Sequence, residues 1–254
     1  MNDEQAGADT RGAPVDGVTG EGQGSGRARE AKGPAVGSQT LARGLHALEL
    51  VARQPQGLAV QDLAQRLGVH RTIAYRILVT LAEHHLVVKA ADGRYRAGSG
   101  TVTLARGYAA GVREAALPVL RRTADELGAT LALIAAEGEE AVAVAVVEPL
   151  SVDYHLSYRV GSRHPVGTGA AGLALAALRP PARGESPEVV QAREQGYAQT
   201  FGQVEPGAYG VAVPLRLADA ALQMCVNLIT SRQDVAEGSV PTMRAIAEEI
   251  SALG

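Results

Sequence analysis

The feature that most constrains this chain is a compact succession of apolar stripes followed by an Asp-Gly turn, all between Ser38 and Gly98. Ser38 and Thr40 are cap-type residues ahead of Leu41, Leu45, Leu48 and Val51, which recur at helical spacing until Pro55 and Gly57 interrupt them. Val60, Leu63, Ala64 and Leu67 form a second, shorter stripe closed by Gly68, a residue that tolerates the left-handed backbone of a sharp turn. Ile73, Ile77 and Leu81 form a third, with Leu78 beside them. Leu86, Val87 and Val88 then read as a strand, Asp92-Gly93 as a hairpin turn, and Arg94, Tyr95 and Arg96 as the returning strand. The order helix, helix, tight turn, helix, hairpin predicts a winged helix-turn-helix over residues 38–98.

In that frame Ile73, Ile77 and Leu81 are expected to face inward, leaving Arg71, Thr72, Tyr75, Arg76 and Val79 outward. Arginine pairs bidentately with guanine, and threonine meets a hydroxyl-sized partner or the thymine methyl. Arg71 and Thr72 lie at the helix start, where recognition helices touch base edges; Tyr75 and Arg76 lie one turn on, and His70 stands at the entrance within reach of phosphate. Alternation in the hairpin turns Tyr95 toward the core and puts Arg94 and Arg96 on the other face, with Lys89 across from them. Such cations release counterions from DNA and give salt-dependent affinity. The charge distribution agrees. Residues 1–37 hold 4 basic and 6 acidic side chains, residues 38–97 hold 8 and 4, and residues 98–254 hold 12 and 17. The overall charge is -3, yet the one positive stretch coincides with the helix-turn-helix pattern.

The first 37 residues carry Gly, Ala and charge with almost no large apolar side chains, and they read as a disordered tail. Residues 99–114 have the spacing of a linker helix, with Val102, Leu104, Ala105 and Tyr108 on its stripe, and Leu117 to Leu127 continue as another helix. From 115 to 254 short apolar runs alternate with helical ones. Thr130–Ala136 and Ala141–Val147 flank the turn Glu137–Glu140; Asp153–Val160 alternates as a third strand; Gly172–Leu178 and Pro187–Gln195 are helical; Val211–Leu217 and Leu222–Thr230 flank Ala218-Asp219; Val240–Leu253 closes as an amphipathic helix. Hairpins with helices between them predict an α+β domain.

One cysteine, Cys225, excludes an internal disulfide and fits a reducing, cytoplasmic setting. No apolar run approaches the ~20 residues of a membrane span, and the polar, acidic start does not read as a secretory signal. No Cys cluster, His-Glu-x-x-His or phosphate loop is present, so no metal, cofactor or catalytic site is expected. His84 and His85 are adjacent and cannot share a helix face, so they are expected to cover the end of the third helix. Cys225 could be a nucleophile only with His155 or His164 as its base, and a buried thiol is the plainer reading. Gly167–Gly172 formally matches Gly-x-Gly-x-x-Gly, but the neighbouring strands pair as hairpins rather than as a parallel strand-helix-strand unit. The same glycines precede a helix. Its free N–H groups suit an anion, so Gly169 and Ala170 are expected to line a pocket for a small organic or aromatic acid, joined by Tyr209, Gly210, Cys225 and Asn227. The alternative is that these glycines serve only close helix packing.

Taken together, Arg76-Ile77-Leu78, Gly93-Arg94-Tyr95-Arg96-Ala97-Gly98, Gly57–Ala64, Val160-Gly161-Ser162-Arg163-His164-Pro165 and Gly210-Val211-Ala212-Val213-Pro214 resemble the IclR family of bacterial transcriptional regulators over Thr40 to the C-terminus. The resemblance implies a GAF-like effector domain, homodimers or homotetramers, and affinity for double-stranded DNA altered by a small molecule. The chain departs from the family pattern at Gly167–Leu173, at Asn227 and Ile229 where alternating serines are usual, and at Gly210 where a cysteine is frequent. The pocket is implied but its ligand is not. The competing class is an enzyme or a sensor that acts without DNA.

Overall fold

The structure, a computed structural model, describes residues 37–152, 156 and 158–253. The tail, up to residue 36, lies outside the described residues, as does half of the expected strand at Asp153–Val160, His155 included.

The first helix, α1 (Gln39–Ala52), starts at Ser38, whose hydroxyl accepts the Leu41 N–H at 3.4 Å. The short α2 (Val60–Leu67) ends at Gly68 with φ 63°, the left-handed geometry the sharp turn demands. The third helix, α3 (Arg71–Glu83), is capped by His70, whose ring nitrogen accepts the Thr72 N–H at 3.3 Å. Strands β1 (Val87–Lys89) and β2 (Tyr95–Ala97) pair antiparallel, and Lys89 stands opposite Tyr95. Tyr95 also exchanges two backbone hydrogen bonds with Leu58, both 2.9 Å, so the segment before α2 adds a third rung to the hairpin. Leu63, Leu78, Val51, Val87 and Tyr95 close one core over this unit.

Two details of the expected stripes differ. Inward positions on α3 are Ala74, Leu78 and Leu81, with Ile77 half-buried, whereas Ile73 is 43% exposed. The true stripe is rotated by one residue, because small Ala74 lets α2 and α3 approach more closely than Ile73 would. On α1 the buried side is Ala47 and Val51, while Leu41 and Leu45 are 62% and 51% exposed. Leu45, two residues before Ala47, lies nearly opposite it at the ~100° per residue of a helix.

The connecting helix is shorter than expected. It runs as α4 (Gly100–Arg106), breaks at Gly107–Ala109, where Ala109 has φ 43°, and resumes as the long α5 (Ala110–Leu127). Six strands then form one antiparallel sheet in the order β5-β4-β3-β8-β7-β6: β3 (Thr130–Glu137), β4 (Glu140–Val147), β5 (Arg163–Pro165), β6 (Ala198–Phe201), β7 (Tyr209–Pro214) and β8 (Met224–Thr230). Alternation sorts β3 and β8 into two faces. Leu131, Leu133, Val226 and Leu228 point to α5 and the final helix α9 (Val240–Leu253). Ala132, Ile134, Cys225 and Ala212 point to α6 (Gly169–Leu178) and α7 (Pro187–Gln195). The short α8 (Gln233–Gly238) follows β8. This is the α+β architecture the sequence predicts, a helix-turn-helix followed by an antiparallel sheet with helices on both faces.

Candidate nucleic-acid interface and ligand pocket

Arg71, Thr72, Tyr75 and Arg76 are all exposed along α3, joined by Ile73, whose expected place was inward. The guanidinium groups of Arg71 and Arg76 have no ion-pair partner among the described residues. His70 stands exposed at the entrance of α3. Its Nδ1 lies 3.1 Å from the Thr72 hydroxyl and accepts the Thr72 N–H, so the ring is turned back to cap the helix. An open groove beside α3 is floored by Ala64 and edged by Gln61, Gln65, His70, Arg71 and Tyr75. The two glutamines of α2 were not singled out from sequence, because a polar face on a short helix looks the same whether it meets water or a partner.

The hairpin cations are less free than the helix pair. Lys89 is exposed. Arg94 donates from Nη1 to the Gly57 carbonyl at 3.3 Å, and Arg96 pairs with Asp92 at 3.3 Å, their side chains 45% and 47% exposed. The second oxygen of Asp92 accepts the Arg94 N–H at 3.0 Å, which holds the turn. Arg94 and Arg96 nevertheless flank the buried Tyr95 on the outer side, as alternation requires.

The second site lies at the start of α6. Gly169, Ala170, Tyr209, Gly210 and Asn227, five of the six expected residues, line one small cavity of about 50 Å³. Cys225 is the exception. It is fully buried beneath α6, its thiol directed at the Ala171 carbonyl 3.8 Å away, and burial pushes its pKa far up. It sits two residues before Asn227 on the same face of β8, but where the strand passes under the helix the side chain meets α6 instead of open space. No histidine among the described residues hydrogen-bonds to it, His164 included; His155 lies outside them. Tyr209 contributes its ring, packed against Phe201 with centroids 4.4 Å apart and planes tilted by 38°, while its hydroxyl donates to Gln233 on α8 at 3.1 Å.

Residues that sequence reasoning missed complete the cavity: Tyr158, His164, Thr200, Gln203 and Val204 among them. Asn227 is 7% exposed and its Oδ1 has no hydrogen-bond partner among the described residues; the same holds for His164 Nε2. Burial holds His164 below the usual histidine pKa, so the ring is neutral, and the Tyr158 hydroxyl lies 3.5 Å from its Nδ1. The glycines of the Gly-x-Gly-x-x-Gly stretch divide their work. Gly169 has φ 67° and opens the helix at the cavity, whereas a Cβ on Gly172 would stand 2.8 Å from the Pro165 carbonyl, so that position serves close packing. The stretch follows the edge strand of an antiparallel sheet, which removes the dinucleotide-fold context. Groups of three or more potential metal ligands are absent among the described residues, and no helix of the described residues is long and apolar enough to cross a membrane.

Residues 40–91 match the profile described as the IclR helix-turn-helix domain, and residues 108–187 match the bacterial transcriptional regulator IclR C-terminal domain. The chain is 28% identical to the HTH-type transcriptional regulator XynR of Escherichia coli over 228 residues, covering 78% of this chain and 89% of that protein. It is 32% identical to the HTH-type transcriptional regulator Rv1719 of Mycobacterium tuberculosis over 148 residues, 58% of this chain and just 57% of that one. An IclR homolog from Microbacterium hydrocarbonoxydans, solved in complex with 4-hydroxybenzoate, shares the fold with a TM-score of 0.71 at 23% identity, over 84% of this chain and 98% of that one.

Proposed function

Because the chain belongs to the IclR family of bacterial transcriptional regulators, we propose that it binds operator DNA sequence-specifically through α3 and its hairpin, and that a small organic acid held at the start of α6 sets the affinity. The observation that carries the DNA reading is the exposed pair Arg71 and Arg76 on α3, without ion-pair partners among the described residues, inside the one positively charged stretch of the chain. Arg71 and Thr72 reach base edges from the N-terminal end of the helix, Tyr75 and Arg76 reach base edges or backbone one turn on, and Lys89, Arg94 and Arg96 contact phosphates along the hairpin. His70 acts through its cap on Thr72 as well as by contact.

The acid reading rests on the first N–H of α6 opening into a cavity with small, mostly apolar walls. The solved relative carries 4-hydroxybenzoate, an aromatic acid of that kind. Exposed leucines on α1, and Val102 and Leu104 on α4, 61% and 65% exposed, support a homodimer that sets the spacing of two recognition helices. A ligand that prefers one dimer geometry then shifts operator affinity by linkage.

Gel shifts of the full chain on the DNA upstream of its own gene, against bulk competitor, test this. Arg71→Ala and Arg76→Ala should each abolish the specific complex while thermal unfolding stays cooperative. A normal footprint by either variant would refute the assignment of α3.

A further inference from the structure

The N–H that opens α6 is already occupied. Gly169 donates to the side-chain carbonyl Oε1 of Gln203 at 2.8 Å, and Gln203 lies in the loop between β6 and β7, far along the chain. The next residue, Val204, fits so closely that a Cβ on Gly169 would stand 2.5 Å from its Cγ2, so only glycine at 169 admits the loop in this position. Residues 202–207 are exposed on their outer side, and the loop is closed at its base by the Gly202 N–H donating to the Ala208 carbonyl at 2.8 Å. With the loop in place the cavity holds about 50 Å³, well short of the roughly 300 Å³ at the lower end of small-molecule sites.

Two polar atoms at the border of this mostly apolar cavity are unsatisfied among the described residues. Asn227 Oδ1, on a side chain more than nine-tenths buried, and His164 Nε2 both border it without a partner among the described residues. Buried polar groups are seldom left in this way in a site with no occupant. From these observations we propose that Gln203 is a tethered internal competitor for the acid subsite of the effector pocket: its carboxamide oxygen stands where a ligand carboxylate binds, and an acid enters by displacing the β6–β7 loop. The proposal rests on the acid-binding reading above.

The exchange has a favourable direction. A carboxamide oxygen is a neutral acceptor, whereas a carboxylate makes a charge-assisted hydrogen bond and interacts with the positive end of the helix dipole. Withdrawal of Gln203 and Val204 also supplies the missing volume. Opening the loop costs free energy, which lowers the apparent affinity by the fraction of molecules already open. Gln203 therefore sets the ligand concentration at which the protein responds, and Asn227 Oδ1, left facing the new occupant, favours acids that also carry a hydrogen-bond donor such as a hydroxyl group.

Two measurements on the full chain test this, with Gln203→Ala and Gln203→Glu as variants. The first needs no ligand. Amide hydrogen exchange read by NMR at Gly169 should be protected in the wild type and about tenfold faster in Gln203→Ala. The second is calorimetric titration with 4-hydroxybenzoate and with acetate. Affinity should rise about tenfold in Gln203→Ala, where the closed state is lost, and fall in Gln203→Glu, whose tethered carboxylate holds the subsite more strongly. Equal exchange at Gly169 in wild type and Gln203→Ala, or acid binding no tighter in Gln203→Ala, overturns the competitor while acid binding itself still supports the pocket. Loss of Gly169 protection with neither acid binding to any of the three proteins overturns the acid reading and the competitor with it.

Discussion

Asp92 offers a direct test of whether the β1–β2 hairpin approaches DNA. One of its oxygens accepts the Arg94 N–H at 3.0 Å and holds the turn; the other neutralises Arg96 at 3.3 Å. Asp92→Asn keeps an acceptor for the turn and removes the charge. The cost to stability is small, because both side chains are nearly half exposed and such pairs contribute about 0–1 kcal/mol. The gain in DNA affinity is larger. Removing one negative charge beside the phosphates raises the effective number of neutralised phosphates by one, which steepens the dependence of log K on log salt by about 0.9. Extrapolated from a common value near 1 M salt, that is roughly eightfold tighter binding at 0.1 M and roughly fourfold at 0.2 M. The effect needs the hairpin within a Debye length of the backbone, about 10 Å at 0.1 M salt. Fluorescence anisotropy with a duplex of arbitrary sequence suffices, since the term is independent of sequence. A wild-type slope and affinity in Asp92→Asn, or a shallower slope, would refute the placement of the hairpin.

Four further outcomes follow from the geometry. Leu78→Ala empties a fully buried position between α1, α2 and α3 and should cost about 2–5 kcal/mol in chemical denaturation; a loss under 1 kcal/mol would mean that the helix-turn-helix core is not packed as described. Burial holds His164 below its ordinary value of 6.5, so the unfolded chain takes up a proton near that pH and the native chain only lower; stability present above pH 6.5 is lost as the pH falls through that range. Thermal unfolding from pH 8 to pH 5 should therefore show a smaller decline in His164→Asn than in wild type. The Cys225 thiol, buried and held protonated, should resist an aromatic disulfide reagent at pH 8 and react fully in denaturant; rapid labelling of the native chain would contradict its place beneath α6. Gly210→Ala puts a methyl 3.1 Å from the Ala170 Cβ and 3.8 Å from Asn227 Oδ1 at an ordinary backbone angle, so the fold should persist while acid titrations weaken several-fold; unchanged acid binding would move the ligand elsewhere.

The helix-turn-helix half was legible because its determinants are local. Caps, a left-handed turn at Gly68 and an Asp-Gly hairpin each act over a few residues, and the structure uses all three. What the sequence could not convey was the angle of each helix about its own axis. Ile73 and Ala74 are neighbours, and a stripe drawn through isoleucines is as regular as one drawn through Ala74, Leu78 and Leu81. The choice between them is made by how near α2 comes, which is a tertiary quantity. The leucines of α1 mislead for a related reason. They look like core by composition, yet Leu41 and Leu45 face outward, where a second copy of the chain would account for them.

The sheet domain shows the converse. Its long hairpins and flanking helices follow from periodicity, and the strands that escaped notice, β5 and β6, have three and four residues and lie at the two edges of the sheet. Short edge strands carry too few alternations to be told from loop. The pocket inherits that blindness. Gly169 and Asn227 could be anticipated because a helix start and a polar residue in an apolar strand are visible where they stand. Gln203 could not, since nothing local marks a glutamine in a glycine-bordered loop as the partner of an amide more than thirty residues earlier. The residue proposed to govern entry to the site is therefore the one that sequence conceals best, because only the folded chain brings it to the first donor of α6.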